Sequence, residues 1–194
     1  MNINGWEYPY ETLQNWNLQR RDYSCIDGEA DKLFENKQLD MAVIIHSIAE
    51  ETMCYYAGFL VILEDKKKPE IVLQPKHSFQ QHDIIFSSDG RLAFAVFGIW
   101  TEGWPIFIFD LVSQKFSHFM ARTNNNTFYV KEVNANEFRI LTDEWQMANN
   151  SDDSLKKLYG TEIKISRLEW RPFNEIDSYC EMLINQGNSM IVQQ

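Results

Sequence analysis

The chain has 194 residues, 44% hydrophobic and 14% aromatic, which suffices for one substantial core and excludes a wholly disordered chain. It carries 18 Lys and Arg against 28 Asp and Glu. The resulting net charge of −10 opposes nucleic-acid backbones and anionic membrane surfaces, and it suits both solubility and encounter with a cationic protein.

The three cysteines, Cys25, Cys54 and Cys180, are odd in number, widely spaced and without a CxxC pair. That spacing argues against a disulfide framework or a zinc ribbon and for reduced thiols. The first ten residues lack the basic and apolar regions of a secretory signal. The longest apolar runs, such as 59–63 and 106–109, are too short to span a bilayer. The expected location is the cytoplasm.

In chain order, residues 1–40 form an acidic and aromatic segment. Trp6, Tyr8, Tyr10, Leu13 and Trp16 are candidates to anchor it to the body. Acids dominate from Asp22 to Asp40, and 24–28 reads as a turn. Met41 to Ile45 is a short apolar run that periodicity alone leaves open between strand and helix. The aromatic and β-branched run Tyr56 to Leu63 favours a strand pair, with 48–54 as the connecting loop. Lys66-Lys67-Lys68-Pro69 reads as a solvated turn, and 70–74 as a further strand closed by Pro75.

Asp83 to Asp143 is the clearest region. Strands are expected at 83–86, 91–100, 104–111, 116–121, 127–133 and 137–142. Between them lie Ser87-Ser88-Asp89-Gly90, with its strong Asp-Gly hairpin cue, then 101–103, 112–115, 124–126 and 134–136. This spacing of roughly 10–12 residues per strand and turn is that of a β-meander. Further on, 149–154 reads as a loop, 154–159 as one or two helical turns stopped by Gly160, and 161–168 as a last strand. Asn174 is placed to cap a helix over 175–186 that Gly187 ends, leaving a loose tail. The expected fold is therefore mainly β. It is one domain in which a 41–168 antiparallel meander forms an open twisted sheet, sandwich or partial propeller, followed by a C-terminal helix at 174–186.

The segments IIFSSDGRLAFAVF and WPIFIFDLVSQKFSHF, within 83–119, resemble one β-propeller blade and part of the next. That resemblance implies a strand, an SxDG turn and three further strands. The whole chain resembles, in type, the immunity proteins of contact-dependent and polymorphic bacterial toxin systems. Those are small, acidic and cytoplasmic, and they share no motif, so the resemblance transfers no residue. It implies an antitoxin that binds and inhibits a basic toxin domain.

No catalytic signature emerges. There is no GxSxG elbow, P-loop or GxGxxG. Cys25 has acidic rather than basic neighbours, which opposes a lowered thiol pKa, and Cys54 and Cys180 sit in apolar patterns. His46, His77, His82 and His118 show no metal-binding spacing. Adjacent acids at 50–51, 64–65, 143–144 and 152–153 mark solvated turns. We therefore expect no catalytic residue, metal or cofactor, and neither a nucleic-acid nor a membrane partner. The expected binding residues are aromatic anchors beside acids. They are Asp22, Asp27, Glu29, Asp31 and Glu35 in the acidic segment, Trp100, Glu102 and Trp104 at one hairpin, and Asp143, Glu144 and Trp145 at a strand end. The alternatives are an enzyme of unknown class or a propeller-like interaction module.

Overall fold

Runs of β-branched and aromatic residues broken by turn residues fold into three successive antiparallel meanders. The computed structural model describes residues 2–3, 5–7, 32–49, 56–77, 79, 84–97, 104–121, 128–146 and 155–191. A small hairpin, β1 (Asn2–Ile3) and β2 (Trp6–Glu7), opens the chain. The first sheet is β3 (Lys32–Asn36), β4 (Met41–Ala49), β5 (Tyr56–Glu64) and β6 (Glu70–Leu73), in that order. The central sheet is β7 (Ile85–Phe86), β8 (Leu92–Val96), β9 (Trp104–Asp110) and β10 (Lys115–Ala121). The third is β11 (Phe128–Asn134), β12 (Glu137–Gln146) and β13 (Leu155–Lys164). A short strand β14 (Arg171–Pro172) returns to the open edge of β10, and helix α1 (Ile176–Ile191) follows. The fold is thus mainly β and antiparallel with one C-terminal helix. None of the described sheets closes into a barrel.

The period of two along each strand places the central sheet between the other two. Ala93, Ala95, Phe97, Phe107, Phe109 and Phe116 face the first sheet and α1. Met41, Val43, Ile45, Leu60 and Ile62 meet them from the first sheet, and Ile176, Cys180 and Leu183 from the helix. On the opposite face, Leu92, Phe94, Val96, Ile106 and Ile108 pack on Phe138, Ile140 and Ile163 of the third sheet. The outer face of the first sheet, Ala42, Ile44, Val61 and Leu63, is covered by Trp6.

One turn holds the three sheets in register. Ser87–Gly90 is closed by the Gly90 N–H donating to the Ser87 carbonyl at 2.9 Å, and by Ser87 Oγ donating to Asp89 at 2.6 Å. Asn36 of the first sheet donates to the Gly90 carbonyl at 2.6 Å. Ser88 donates its N–H and its hydroxyl to the Glu132 carboxylate of the third sheet, at 2.9 and 3.0 Å. Gly90 has φ +72°, and a Cβ there would lie 2.6 Å from Asn36 Oδ1. Both the backbone conformation and the close approach therefore require glycine.

Several expectations are corrected. Residues 155–159 are not helical, and Gly160 stops nothing. Leu155–Lys164 is one strand, paired residue by residue with β12 from Glu137↔Lys164 to Gln146↔Leu155. β12 accordingly runs past 142 to Gln146, and a 3-10 turn replaces the strand expected after Lys164. Ile48 and Ala49 belong to β4 rather than to a loop. Asn174 lies inside a 3-10 turn, Phe173–Glu175, and α1 continues through Gly187 to Ile191. The stretch read as one blade and part of another contributes β7 to β10 to a single sheet. Of the expected N-terminal anchors, Trp6 is described and fully buried, whereas Tyr8, Tyr10, Leu13 and Trp16 lie outside the described residues.

Candidate functional site

Glu35 is the one candidate binding residue with a described side chain. It sits on β3, half-buried, and accepts from Lys66 Nζ at 2.7 Å. The Lys66 hydrogen bond holds its carboxyl below the usual range. The Trp6 indole N–H faces the same carboxylate and adds to that lowering, but it falls short of a full hydrogen bond. The Glu35 charge is therefore already balanced within the fold. Asp22, Asp27, Glu29, Asp31, Trp100 and Glu102 lie outside the described residues. Trp104 starts β9, and Asp143, Glu144 and Trp145 lie in β12, with side chains outside the described set.

Strand direction relates these positions. The tight turns 37–40, 65–68, 87–90, 111–114 and 135–136 lie at one end of the strands. The hydrogen bonds from Asn36 and Ser88 tie the turn ends of all three sheets together. The other ends of the strands point away from this node. Lys32 opens β3 there, opposite Ile45. Trp104 opens β9 opposite Ala121, and Asp143 to Gln146 close β12 opposite Leu158 to Leu155. The chain thus enters or leaves the sheets for all three candidate stretches at the end opposite the turns.

In the sequence, acid is densest from Asp22 to Asp40, where six carboxylates stand against Lys32 and Lys37. At the turn end, carboxylates are occupied internally. Arg91 donates to Asp110 at 2.6 Å, and Asp110 also accepts the N–H groups of Val112 and Ser113 at 3.2 Å. This pairing and these backbone bonds hold the Asp110 carboxyl below its usual range despite its burial.

A second polar cluster, not signalled by any motif, joins α1 to the central sheet. The Tyr179 hydroxyl and His118 Nδ1 share a hydrogen bond of 3.0 Å. The Arg171 guanidinium lies 4.8 Å from the Tyr179 ring centroid and pairs with Glu169 at 2.7 Å and Glu175 at 3.6 Å. Burial pushes the His118 imidazole down and the Tyr179 phenol up. Burial also raises the neighbouring Cys180 thiol, with Asp177 and Glu181 adding to the effect. The imidazole is thereby kept neutral, and the phenol and thiol stay protonated. None of the three is activated as a nucleophile. The cluster's chemistry is that of a docking contact. Its one sequence signal was position: His118 alternates with Phe116, and Tyr179 lies one turn from Ile176 and Leu183.

Among the described residues, no three His, Cys, Asp or Glu side chains gather so as to hold a metal ion. No described helix is long and apolar enough to cross a membrane. No protein-family model, curated protein or solved structure matches the chain.

Proposed function

We propose that this protein is an acidic binding protein of the cytoplasm that neutralises a basic toxin domain, in the manner of an immunity protein. The observation that carries this reading is the surplus of acid in the sequence, a net −10, with six carboxylates against Lys32 and Lys37 from Asp22 to Asp40. A cationic cleft, such as a nuclease's phosphate-binding groove, is met best by such concentrated negative charge. Trp100, Trp104 and Trp145 would supply aromatic anchors beside Glu102, Asp143 and Glu144. Inhibition would be steric and electrostatic, without covalent chemistry, metal or cofactor.

The test is co-purification with the C-terminal domain of a toxin encoded beside this gene, followed by stopped-flow association at several salt concentrations. We expect the association rate to fall steeply with salt and to drop again when Asp22, Asp27, Glu29 and Asp31 are reversed to Lys. Glu35 is left out of that set, because reversing it would break the Lys66 pair. A rate indifferent to salt and to the reversals removes the electrostatic reading.

A further inference from the structure

We propose that the outer face of the third sheet is a self-association surface whose occupant is the same face of a second copy. The inference stands apart from the toxin reading. The inner face of this sheet packs on the central sheet through Val130, Phe138, Ile140 and Ile163. The alternate residues turn the other way. The ladders set them in two rows across β11, β12 and β13: Tyr129–Leu141–Gly160 and, beside it, Lys131–Arg139–Glu162. Tyr129 is 49% exposed, and Lys131, Arg139 and Glu162 are exposed as well. By contrast, the outer face of the first sheet is closed by Trp6.

Each row complements itself when reversed. The charged row starts with a cation on β11 and ends with a carboxylate on β13. Lys131 stands directly opposite Arg139, a like-charge juxtaposition that costs stability in an isolated sheet. The other row starts with a large ring and ends at a residue with no side chain. Gly160 lies inside an unbroken ladder, between Thr142↔Tyr159 and Ile140↔Thr161. Glycine weakens a strand interior and often marks the close approach of another group. A twofold axis running along β12, midway between two facing sheets, places β11 of each copy over β13 of the other and keeps the rows in step. Lys131 of each copy then meets Glu162 of the other, Tyr129 covers the bare backbone at Gly160, and the two Leu141 side chains meet at the axis. The two Arg139 side chains near the axis are each ion-paired with the Glu162 of their own chain. Strands seven to ten residues long, about 4.8 Å apart, present roughly 500 Å² per copy, so the pair lies at the low end of specific interfaces and forms as concentration rises.

The test is sedimentation equilibrium on the full chain over a wide range of concentration. The wild type should pass from monomer to dimer. Lys131→Glu should raise the dimer Kd at least about tenfold, because it sets two carboxylates against each other at both ends of the row. Adding Glu162→Lys to the same chain exchanges the two charges and should bring the Kd back to within about threefold of the wild type. The Arg139–Glu162 pair is exposed on both sides, so its loss leaves the fold nearly as stable. Gly160→Val suits a strand but fills the seat of Tyr129, and it should raise the Kd at least about tenfold. A wild type that stays monomeric at every concentration overturns the proposal. So does a dimer indifferent to Lys131→Glu and Gly160→Val, or a loss at Lys131→Glu that the exchange does not repair. Should Gly160→Val fail to fold, Tyr129→Ala removes the ring from an exposed position and is read by the same criterion.

Discussion

The two faces of the central sheet come from the same strands and hold different cores. Toward the first sheet and α1 the packing is aromatic. Phe107 has ring centroids of Phe97, Phe79 and Phe116 at 5.3, 5.5 and 5.7 Å. Ala93 and Ala95 stand on the same face, and their small side chains leave room for the rings. Toward the third sheet the packing is mostly aliphatic, with Phe94 against Phe138 at 5.4 Å as its aromatic pair. The LAFAV run of β8 therefore encodes two complementary surfaces, small on one side and large on the other. The difference shows how one sheet can pack against a sheet and a helix on one side and another sheet on the other.

Substitutions on either side of β9 probe that contrast. Phe107→Ala should destabilise most, by about 3–5 kcal/mol in urea unfolding, because it empties the centre of the ring cluster. Ile108→Ala, one residue on but facing the third sheet, should lose about 2–4 kcal/mol, within the range for aliphatic truncation. Equal losses at the two sites would show that the aromatic face contributes nothing extra. Gly90→Ala strikes both faces, since it strains the shared turn and displaces Asn36. About 1–3 kcal/mol is expected, with a lowered melting temperature as the readout. Tyr179→Phe deletes one hydrogen bond to His118 and should lose about 1 kcal/mol.

The smallest effect concerns pH. Burial, with help from Arg171, lowers the folded His118 pKa from its ordinary 6.5. The unfolded chain then takes up the proton first. The His118 contribution is fully present above about 6.5 and is lost as pH falls toward the folded value. The melting temperature should fall across that interval, and His118→Phe should flatten the slope. A slope unchanged in that variant would assign the effect to other groups.

Strands with strong turn signals were legible in the sequence. Asp89-Gly90 located the turn between β7 and β8, and the polar residues 112–115 and 134–136 located two others. β13 was not legible, because Lys156 and Lys157 mask alternation and Gly160 resembles a helix stop. What makes 155–164 a strand is the ladder offered by β12, a tertiary cause that no local pattern carries. Likewise the two faces of β8 could be separated by period, but which neighbour each would meet could not. Of the candidate site, the surplus of acid was plain from composition. That Glu35 is spoken for by Lys66, 31 positions away, was not, since pairing at that distance depends on the fold.

The placement of β14 has a bearing on how the molecule is made. Phe116 is paired by Arg171 and packs on the Tyr179 ring at 5.5 Å, and Phe173 and Ile176 complete the same core, all of them made more than about fifty residues after Phe116. Until they emerge, the nascent chain presents the rings of Phe107 and Phe116 and the unpaired edge of β10 to its surroundings. This aromatic face and strand edge are consequently sealed only after the central meander itself has been made, and a chaperone that engages the growing polypeptide has surface to protect at that stage.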